Sequence, residues 1–209
     1  EVKKVKQLFD NNKTASRSFT GAAANEGNLK ALNDQSPQVL HIATHGFFLP
    51  EPDKKRRENS VNKDNSYSLA EDPLLRSGLI LAGGNYAWGG KTPVEGVEDG
   101  IATAYEISQL NLSNTELVVL SACETGLGEI KAGEGVYGLQ RAFLVAGAEA
   151  IVMSLWKVDD AATQQLMNNF YTNLVQSGDK QKAFKQAQVQ LMTKFKEPYF
   201  WGAFVMMEN

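Results

Sequence analysis

The side chains best suited to nucleophilic chemistry in this sequence are its single cysteine, Cys123, and its two histidines, His41 and His45. A thiolate is a strong nucleophile, but a free thiol is only a few per cent ionised near pH 7, so it needs a base. Imidazole titrates close to that pH and can later pass the proton to a leaving amine. A cysteine paired with one of these histidines would therefore support acyl transfer through a covalent intermediate.

Cys123 and His45 each come at the end of an apolar run that predicts a buried strand. The run 39–44 (VLHIAT) stops at His45, and the run 117–122 (LVVLSA) stops at Cys123. If the two strands are neighbours, their carboxyl ends lie about 5–10 Å apart, because adjacent strands are spaced by about 4.8 Å. His41 lies inside its strand, so we interpret it as structural and assign the role of base to His45.

The backbone beside these two residues offers donors for the oxyanion of a tetrahedral intermediate. Gly46 follows the histidine directly, and without a Cβ its N–H can approach a substrate closely. The N–H of Cys123 is the second candidate donor. Paired N–H groups of this kind stabilise the negative charge that develops during acyl transfer.

Strands and helices alternate along the chain, and this order indicates an α/β fold. Further strands are predicted at 79–82, 150–156 and 199–207. Helical periodicity covers 2–9, 25–32, 101–110, 135–145, 161–175 and 181–194. Short connections favour a mainly parallel central sheet with helices on both faces. In such sheets ligands bind at the carboxyl ends of the strands, where His45 and Cys123 are placed.

Two long segments interrupt this alternation. Residues 49–68 are strongly charged and have no apolar periodicity, which predicts a solvated surface loop. The basic triplet at 55–57 leaves open that this loop is cleaved during activation. Residues 83–100 are rich in glycine and are predicted to form a second loop.

Two longer stretches of the sequence form a more specific pattern, HIATHGFF and LVVLSACETGLGEIKAGEGVYGLQRAFLVAGAEAIVMSLWKVDDAAT. They resemble the CHAT domain, a clan CD relative of caspases and separase that is often fused to tetratricopeptide repeats. Weaker matches at 28–32, 78–82 and 198–205 extend the resemblance over nearly the whole chain. The resemblance implies a caspase-like three-layer α/β sandwich, with residues 1–209 forming one peptidase domain.

The same resemblance implies an activity and its residues. The function would be a cysteine endopeptidase that cleaves protein substrates through an acyl-enzyme on Cys123, with His45 as general base and acid. Gly46 and Cys123 would form the oxyanion hole. A regulatory domain or activator outside the chain, such as tetratricopeptide repeats, would control a latent activity. The alternative is a catalytically silent scaffold or adaptor that binds peptides or proteins.

The candidate substrate-binding residues are Ser121, Glu124, Trp156, Asp159 and Asp160. Caspase relatives often place a specificity residue two positions before the cysteine; here that residue is Ser121, whose uncharged side chain selects for neither sign. The segment 156–160 resembles separase, which makes Asp160 or Asp159 a candidate floor of the S1 pocket. A carboxylate there would favour arginine or lysine at P1. Helix N-capping, a routine role of aspartate, is the favoured interpretation of these residues, and an apolar P1 residue stays open.

Composition sets further bounds. A net charge of -3, with no long basic run beyond the charged loop, gives no indication of nucleic acid or membrane as a partner. The single cysteine excludes an internal disulfide, which is typical of a reducing compartment such as the cytoplasm. We find no signal peptide and no apolar run of about 18 residues that would span a bilayer. Because the chain begins with Glu1 instead of methionine, we expect it to be part of a longer protein.

One more motif, G-x-G-x-x-G at residues 133–138, is the pattern of a dinucleotide-binding turn and raises a third alternative, a nucleotide-binding regulator. The motif does not follow its strand directly, and an acidic ribose partner about 20 residues later is missing. We therefore interpret these glycines as part of a loop that shapes a substrate groove. One cysteine and two histidines are too few for a zinc site, and no cofactor is predicted.

Overall fold

The computed structural model describes residues 1–49, 67, 70, 72–91, 96–121, 134–157 and 159–208, and for 134–137 only the backbone is described. The strands are β1 (Val39–Ile42), β2 (His45–Phe48), β3 (Ser77–Ile80), β4 (Ile101–Thr103), β5 (Leu117–Leu120), β6 (Ala150–Ser154) and β7 (Phe204–Glu208). The α-helices are α1 (Val2–Asn11), α2 (Glu26–Lys30), α3 (Asn85–Trp88), α4 (Ala104–Ser108), α5 (Glu134–Val145), α6 (Asp160–Ser177), α7 (Lys180–Lys194) and α8 (Pro198–Trp201). Single 3₁₀ turns lie at Gly21–Ala23 and Pro73–Leu75.

The main sheet has the strand order β1-β5-β6-β7. Its first three strands are parallel, and β7 is antiparallel to β6. Ile42, Leu120 and Met153 form one row across the parallel strands near their carboxyl ends. The prediction of a mainly parallel sheet is confirmed, and β1 and β5 are direct neighbours.

Both faces of the main sheet are covered by helices. Leu117 and Val119 of β5 point to one face and pack in a cluster with residues of α1, α6 and α7. Val118 and Leu120 point to the other face and pack with residues of α2, α4 and α5. All four side chains are buried, and burial of each stabilises the fold by about 1.5–3 kcal/mol. This alternation produces the expected three-layer α/β sandwich.

A second, three-stranded sheet has the order β2-β3-β4 and is antiparallel throughout. The sequence predicted a strand that stops at His45, but the chain leaves the main sheet after Ile42 and His45 begins β2.

A helix was predicted over 101–110, but its first three residues are β4. Thr103 and Glu106 form a capping box, which fixes the start of α4 at residue 104 and frees the preceding residues for strand pairing.

Three other predicted elements differ from the structure. The predicted strand 199–207 begins as a helix, because Pro198 occupies the first turn of α8, and only Phe204–Glu208 pairs with β6. Within the predicted loop 83–100, α3 forms a single helical turn. The predicted groove loop at 133–138 is helical from residue 134, and Gly138 packs so close to Ser77 that an added Cβ would lie 2.7 Å from its Oγ. Of segment 49–68, only Leu49 and Tyr67 belong to the described residues.

Candidate active site

The candidate site lies at the edge of the main sheet where the parallel strands end. The row formed by Ile42, Leu120 and Met153 marks this edge on three neighbouring strands. His45, Cys123 and Trp156 each follow their strand's member of the row by three residues. The N–H of Ser121 donates to the carbonyl of Ile42 at 2.9 Å, so the pairing of β1 and β5 continues one residue past the row.

Cys123 and Glu124 lie outside the described residues. The structure therefore describes only part of the site, which consists of His45, the neighbouring residues on β1, β2, β5 and β6, and the described residues that follow β6.

His45 is exposed at the first position of β2. Thr44 holds the connection between the two sheets, because its hydroxyl donates to the carbonyl of Ile80 at 2.5 Å. Ile80 is also the residue that pairs with His45 across β2 and β3. The described residues provide no hydrogen-bond partner for the His45 ring.

His41 is largely buried, and both nitrogens of its ring are occupied. Nε2 lies 2.7 Å from a carboxylate oxygen of Glu1, and Nδ1 lies 2.8 Å from the hydroxyl of Tyr171. Burial raises the pKa of Tyr171 well above its ordinary value, so the hydroxyl stays protonated and can donate to Nδ1 whenever the ring is neutral. These bonds are those of a structural histidine that connects β1 to α6.

The carboxylate of Glu1 joins His41 to the end of β5. Burial alone would raise its pKa, but the hydrogen bond and charge of His41 and the hydrogen bond from Ser121 outweigh burial and lower the pKa. The Ser121 hydroxyl donates to the second oxygen of Glu1 at 3.0 Å and is buried. Ser121, a predicted substrate-binding residue, is thus already engaged. Sequence reasoning missed Glu1, because its partners lie 40 and 120 positions away along the chain.

The N–H of Gly46 points away from the β2–β3 ladder. Leu49 N–H donates to the carbonyl of Arg76 at 2.7 Å and continues this ladder beyond its assigned strands. Hydrogen-bonded and non-hydrogen-bonded pairs alternate in an antiparallel ladder, so Gly46 and Leu79 form a non-hydrogen-bonded pair. Among the described residues β2 pairs only with β3, so the N–H of Gly46, itself a buried residue, is directed away from β3.

Trp156 is fixed beside the end of β6 by Tyr199. The indole N–H donates to the carbonyl of Tyr199 at 3.0 Å, and the two rings stack with centroids 6.5 Å apart and planes 24° from parallel. The Tyr199 hydroxyl donates to the carbonyl of Lys157 at 2.5 Å. Tyr199 is 49% exposed, so the pair presents an aromatic surface beyond the end of β6. The sequence prediction missed Tyr199 because it placed this residue inside a strand.

The two aspartates proposed for the S1 floor differ in their contacts. One carboxylate oxygen of Asp159 accepts from the N–H groups of Ala161 and Ala162 at 2.9 and 3.0 Å, which makes Asp159 the N-cap of α6. Asp160 is the first residue of that helix and is exposed. Asp159 therefore has the capping role that the sequence left open, while Asp160 presents its side chain to solvent.

Two classes of site are not found in the part of the chain that is described. There, no group of three or more His, Cys, Asp or Glu side chains is arranged to hold a metal ion. Among the same residues, no helix combines the length and the apolar character needed to cross a bilayer.

Comparison with known proteins extends these observations to the whole chain. The family model for the CHAT domain matches residues 1–209. Tetratricopeptide repeat protein 28 of Mus musculus is 33% identical over 109 residues, which is 51% of this chain. The protein of the same name in Homo sapiens is 32% identical over 113 residues, or 53% of the chain. The matched regions cover 4% of each of these much longer relatives. With its mainly parallel sheet between two helical layers, this chain belongs to the CHAT domain family.

Proposed function

We propose that the chain is a cysteine endopeptidase domain that cleaves protein substrates through an acyl-enzyme on Cys123, with His45 as general base and acid. The observation that carries this proposal is the register of the main sheet. Ile42 and Leu120 are paired, and His45 and Cys123 each follow this pair by three residues. Because neighbouring strands are about 4.8 Å apart, this register places the carboxyl ends of β1 and β5 side by side. The short distance along the chain from each end supports contact between the imidazole and the thiol, although the chain turns into β2 at His45.

In the proposed reaction, His45 takes the proton of the Cys123 thiol and the thiolate attacks the carbonyl carbon of the scissile bond. The C–S bond forms as the carbonyl π electrons move to oxygen. The outward-directed N–H of Gly46 and the N–H of Cys123 donate to this oxyanion. Collapse of the intermediate expels the amine, which takes the proton from the imidazolium. His45 then activates water, which hydrolyses the thioester and releases the acid product.

The residues proposed to bind substrate are Ser121, Glu124, Trp156, Asp159 and Asp160. The carboxylate of Asp159 already accepts from two backbone N–H groups of α6. Asp159 would therefore act on substrate binding mainly by fixing the start of this helix. Exposed Asp160 is the better candidate to attract an arginine or lysine at P1, and the aromatic surface of Trp156 suits either an apolar side chain or the stem of a basic one.

We also propose that a partner segment controls this domain. The relatives it matches are named for tetratricopeptide repeats, and such repeats are therefore our proposed regulator. A cytoplasmic location is proposed from the single cysteine alone, since a thiol nucleophile must stay reduced.

A peptide library tests the proposal. We expect the full-length protein to cleave a defined subset of peptides, and Cys123→Ala or His45→Ala to abolish cleavage with the fold retained. His41→Gln is the matched control, because it changes a histidine on the same segment that has no proposed catalytic role. Full turnover by either the Cys123 or the His45 variant would refute the assignment.

The second candidate function is a catalytically silent scaffold. It is favoured by one observation, that no described residue orients the His45 ring, whereas an active base is normally held by a third group. A peptidyl electrophile distinguishes the two functions. An active site labels Cys123 much faster with this reagent than with a simple thiol reagent, whereas a silent site shows no such preference.

A further inference from the structure

An ionic cluster with one fully buried carboxylate lies next to the second sheet. We call it the Lys30 cluster, and it consists of Glu26, Lys30, Glu98 and Glu106. The ammonium of Lys30 lies 2.7, 2.8 and 3.0 Å from carboxylate oxygens of Glu26, Glu98 and Glu106, respectively. The Glu26 side chain is only 1% exposed, whereas that of Glu98 is 49% exposed. The ammonium of Lys30 thus forms ion pairs with three carboxylates, of which that of Glu26 is fully buried.

Glu26 also holds the backbone at the start of β4. Its oxygen Oε2 accepts from the N–H of Gly100 at 2.9 Å. Gly100 has a φ of +80° and lies so close to Gly84 that an added Cβ would be 2.3 Å from the Gly84 nitrogen. The Gly100 carbonyl in turn accepts from the N–H of Leu81 at 2.8 Å. The carboxylate therefore fixes the point where β3 ends and β4 begins.

This point is connected to His45 through one row of the second sheet. Ile80 precedes Leu81 and pairs with Ile101 on one side and with His45 on the other. The Ile80 carbonyl also accepts the hydroxyl of Thr44, which precedes the histidine. Displacement of Gly100 would therefore be transmitted through two hydrogen-bonded strands to the backbone of His45.

We propose that Glu26 is a positioning residue for His45, and that protonation of its carboxyl releases Gly100 and loosens the end of the second sheet. That this coupling affects catalysis rests on the proposed function of His45. The coupling between Glu26 and the backbone of His45 does not depend on that function. Glu26 touches neither the proposed nucleophile nor its substrate, and it acts through the backbone of β3 and β4.

The charges around Glu26 make this protonation accessible near neutral pH. Burial, reinforced by the charges of Glu106 and Glu98 and opposed by Lys30, raises the pKa of Glu26 from 4.5 to about 7. Lys30 faces it from α2 itself, Glu106 from α4 and Glu98 from the segment before β4. The hydroxyl of Tyr67 donates to Asp99 and also belongs to this group of neighbours.

The position of the added proton decides which contact is lost. Oε1 of Glu26 faces the ammonium of Lys30, which repels a proton. Oε2 faces the uncharged N–H of Gly100, so the proton binds there and turns a charged acceptor into the much weaker acceptor of a hydroxyl oxygen. The bond from Gly100 is therefore weakened on protonation, whereas the contact with Lys30 is kept.

Amide exchange and NMR titration of the full-length protein test this coupling without any need for turnover. Above pH 8 we expect the Gly100 amide to be protected. At pH 5.5 its exchange, corrected for the intrinsic rate, should be at least about tenfold faster, as for a lost hydrogen bond to a charged group. The ring resonances of His45 should show an additional inflection near the pKa of Glu26. Glu26→Gln should remove both pH effects and leave Gly100 poorly protected at pH 8.

Glu98→Gln is the matched control, because it removes a carboxylate from the same cluster without touching Gly100, and it should keep both effects. If Glu26→Gln fails to fold, the chemical shift of the Gly100 amide in the wild type tests the proposal alone. This shift must change with pH as the Glu26 carboxylate that accepts from the amide titrates. A Gly100 amide with no inflection between pH 5.5 and 8, or a His45 titration identical in wild type and Glu26→Gln, would overturn the proposal. Absence of peptidase activity in the wild type as well as in both variants would count against the proposed function and leave this coupling intact.

Discussion

His41 and His45 lie on the same segment of chain but in opposite environments. His41 sits inside β1 beneath helices, with both nitrogens bonded to Glu1 and Tyr171. His45 begins the next strand, is exposed, and has no hydrogen-bond partner among the described residues. A ring with both nitrogens engaged holds elements together, while an unengaged ring at a strand end is available for proton transfer. Position relative to the end of the main sheet thus distinguishes a structural histidine from a candidate base.

The largest expected effect comes from removing each histidine in turn. His45→Ala should lower kcat/KM by about 10²- to 10⁴-fold, the usual loss when a general base is removed. His41→Gln should lower it far less, because its effect passes through stability. Steady-state kinetics at saturating and limiting substrate measure both values. Equal losses in two well-folded variants would abolish the distinction between the histidines.

The structural role of His41 is tested through its buried partner. Tyr171→Phe removes the hydroxyl at Nδ1 and leaves a buried polar atom unpaired, which should cost about 1–3 kcal/mol in the free energy of unfolding. Urea denaturation measures this cost, and kcat should stay unchanged. Tyr105→Phe, at a position 46% exposed, is the control and should have no measurable effect. A normal stability for Tyr171→Phe would argue against a bonded His41.

The two aspartates after β6 provide a similar contrast between structure and recognition. Asp159→Ala removes the N-cap of α6 and should cost about 1 kcal/mol of stability. Asp160→Ala should leave stability unchanged and reduce any preference for arginine or lysine at P1. Thermal unfolding together with cleavage-site profiling separates these outcomes. If Asp159→Ala alone alters the P1 preference, the assignment of the two roles is reversed.

The smallest expected effect concerns the pH dependence contributed by Glu1. Its folded-state pKa is lowered, so its contribution is present above the ordinary value of 4.5 and is lost as pH falls through the folded-state pKa. Glu1→Gln should therefore reduce stability by less than about 1 kcal/mol near neutral pH, because the burial of the Glu1 carboxylate opposes what its hydrogen bonds with His41 and Ser121 contribute. The difference from wild type should vanish at the lowest pH at which both still fold. A difference that grows on acidification would have the wrong sign.

Sequence reasoning placed the three parallel strands of the main sheet well. Their apolar runs are short and β-branched, and only a sheet covered on both faces accommodates them. The proximity of β1 and β5 was expected because ligands meet the carboxyl ends of parallel strands, and the reactive pair needs two such ends together. The predicted fold and family are confirmed. The pairing of His45 with Cys123 stays a prediction, because Cys123 lies outside the described residues.

Other features could not be obtained from local pattern. The segment 101–110 satisfies both strand and helix periodicity, and only the capping box of Thr103 and Glu106 divides it. Tyr199 was assigned to the wrong element, although Pro198 directly before it is a signal for a helix start. The contacts of Glu1 with His41, and of Glu26 with Gly100, join residues far apart in sequence. Such pairs form only through tertiary packing, so they cannot be predicted from the pattern of residues within a short segment of sequence.

The central claim is that His45 activates the thiol of Cys123. The most direct test is the rate of alkylation of Cys123 as a function of pH, in wild type and in His45→Ala. In wild type the rate should follow a thiol pKa well below the ordinary value of about 8.5, and in His45→Ala it should return to about that value. The His41→Gln profile should match wild type. Identical profiles in wild type and His45→Ala would contradict the claim.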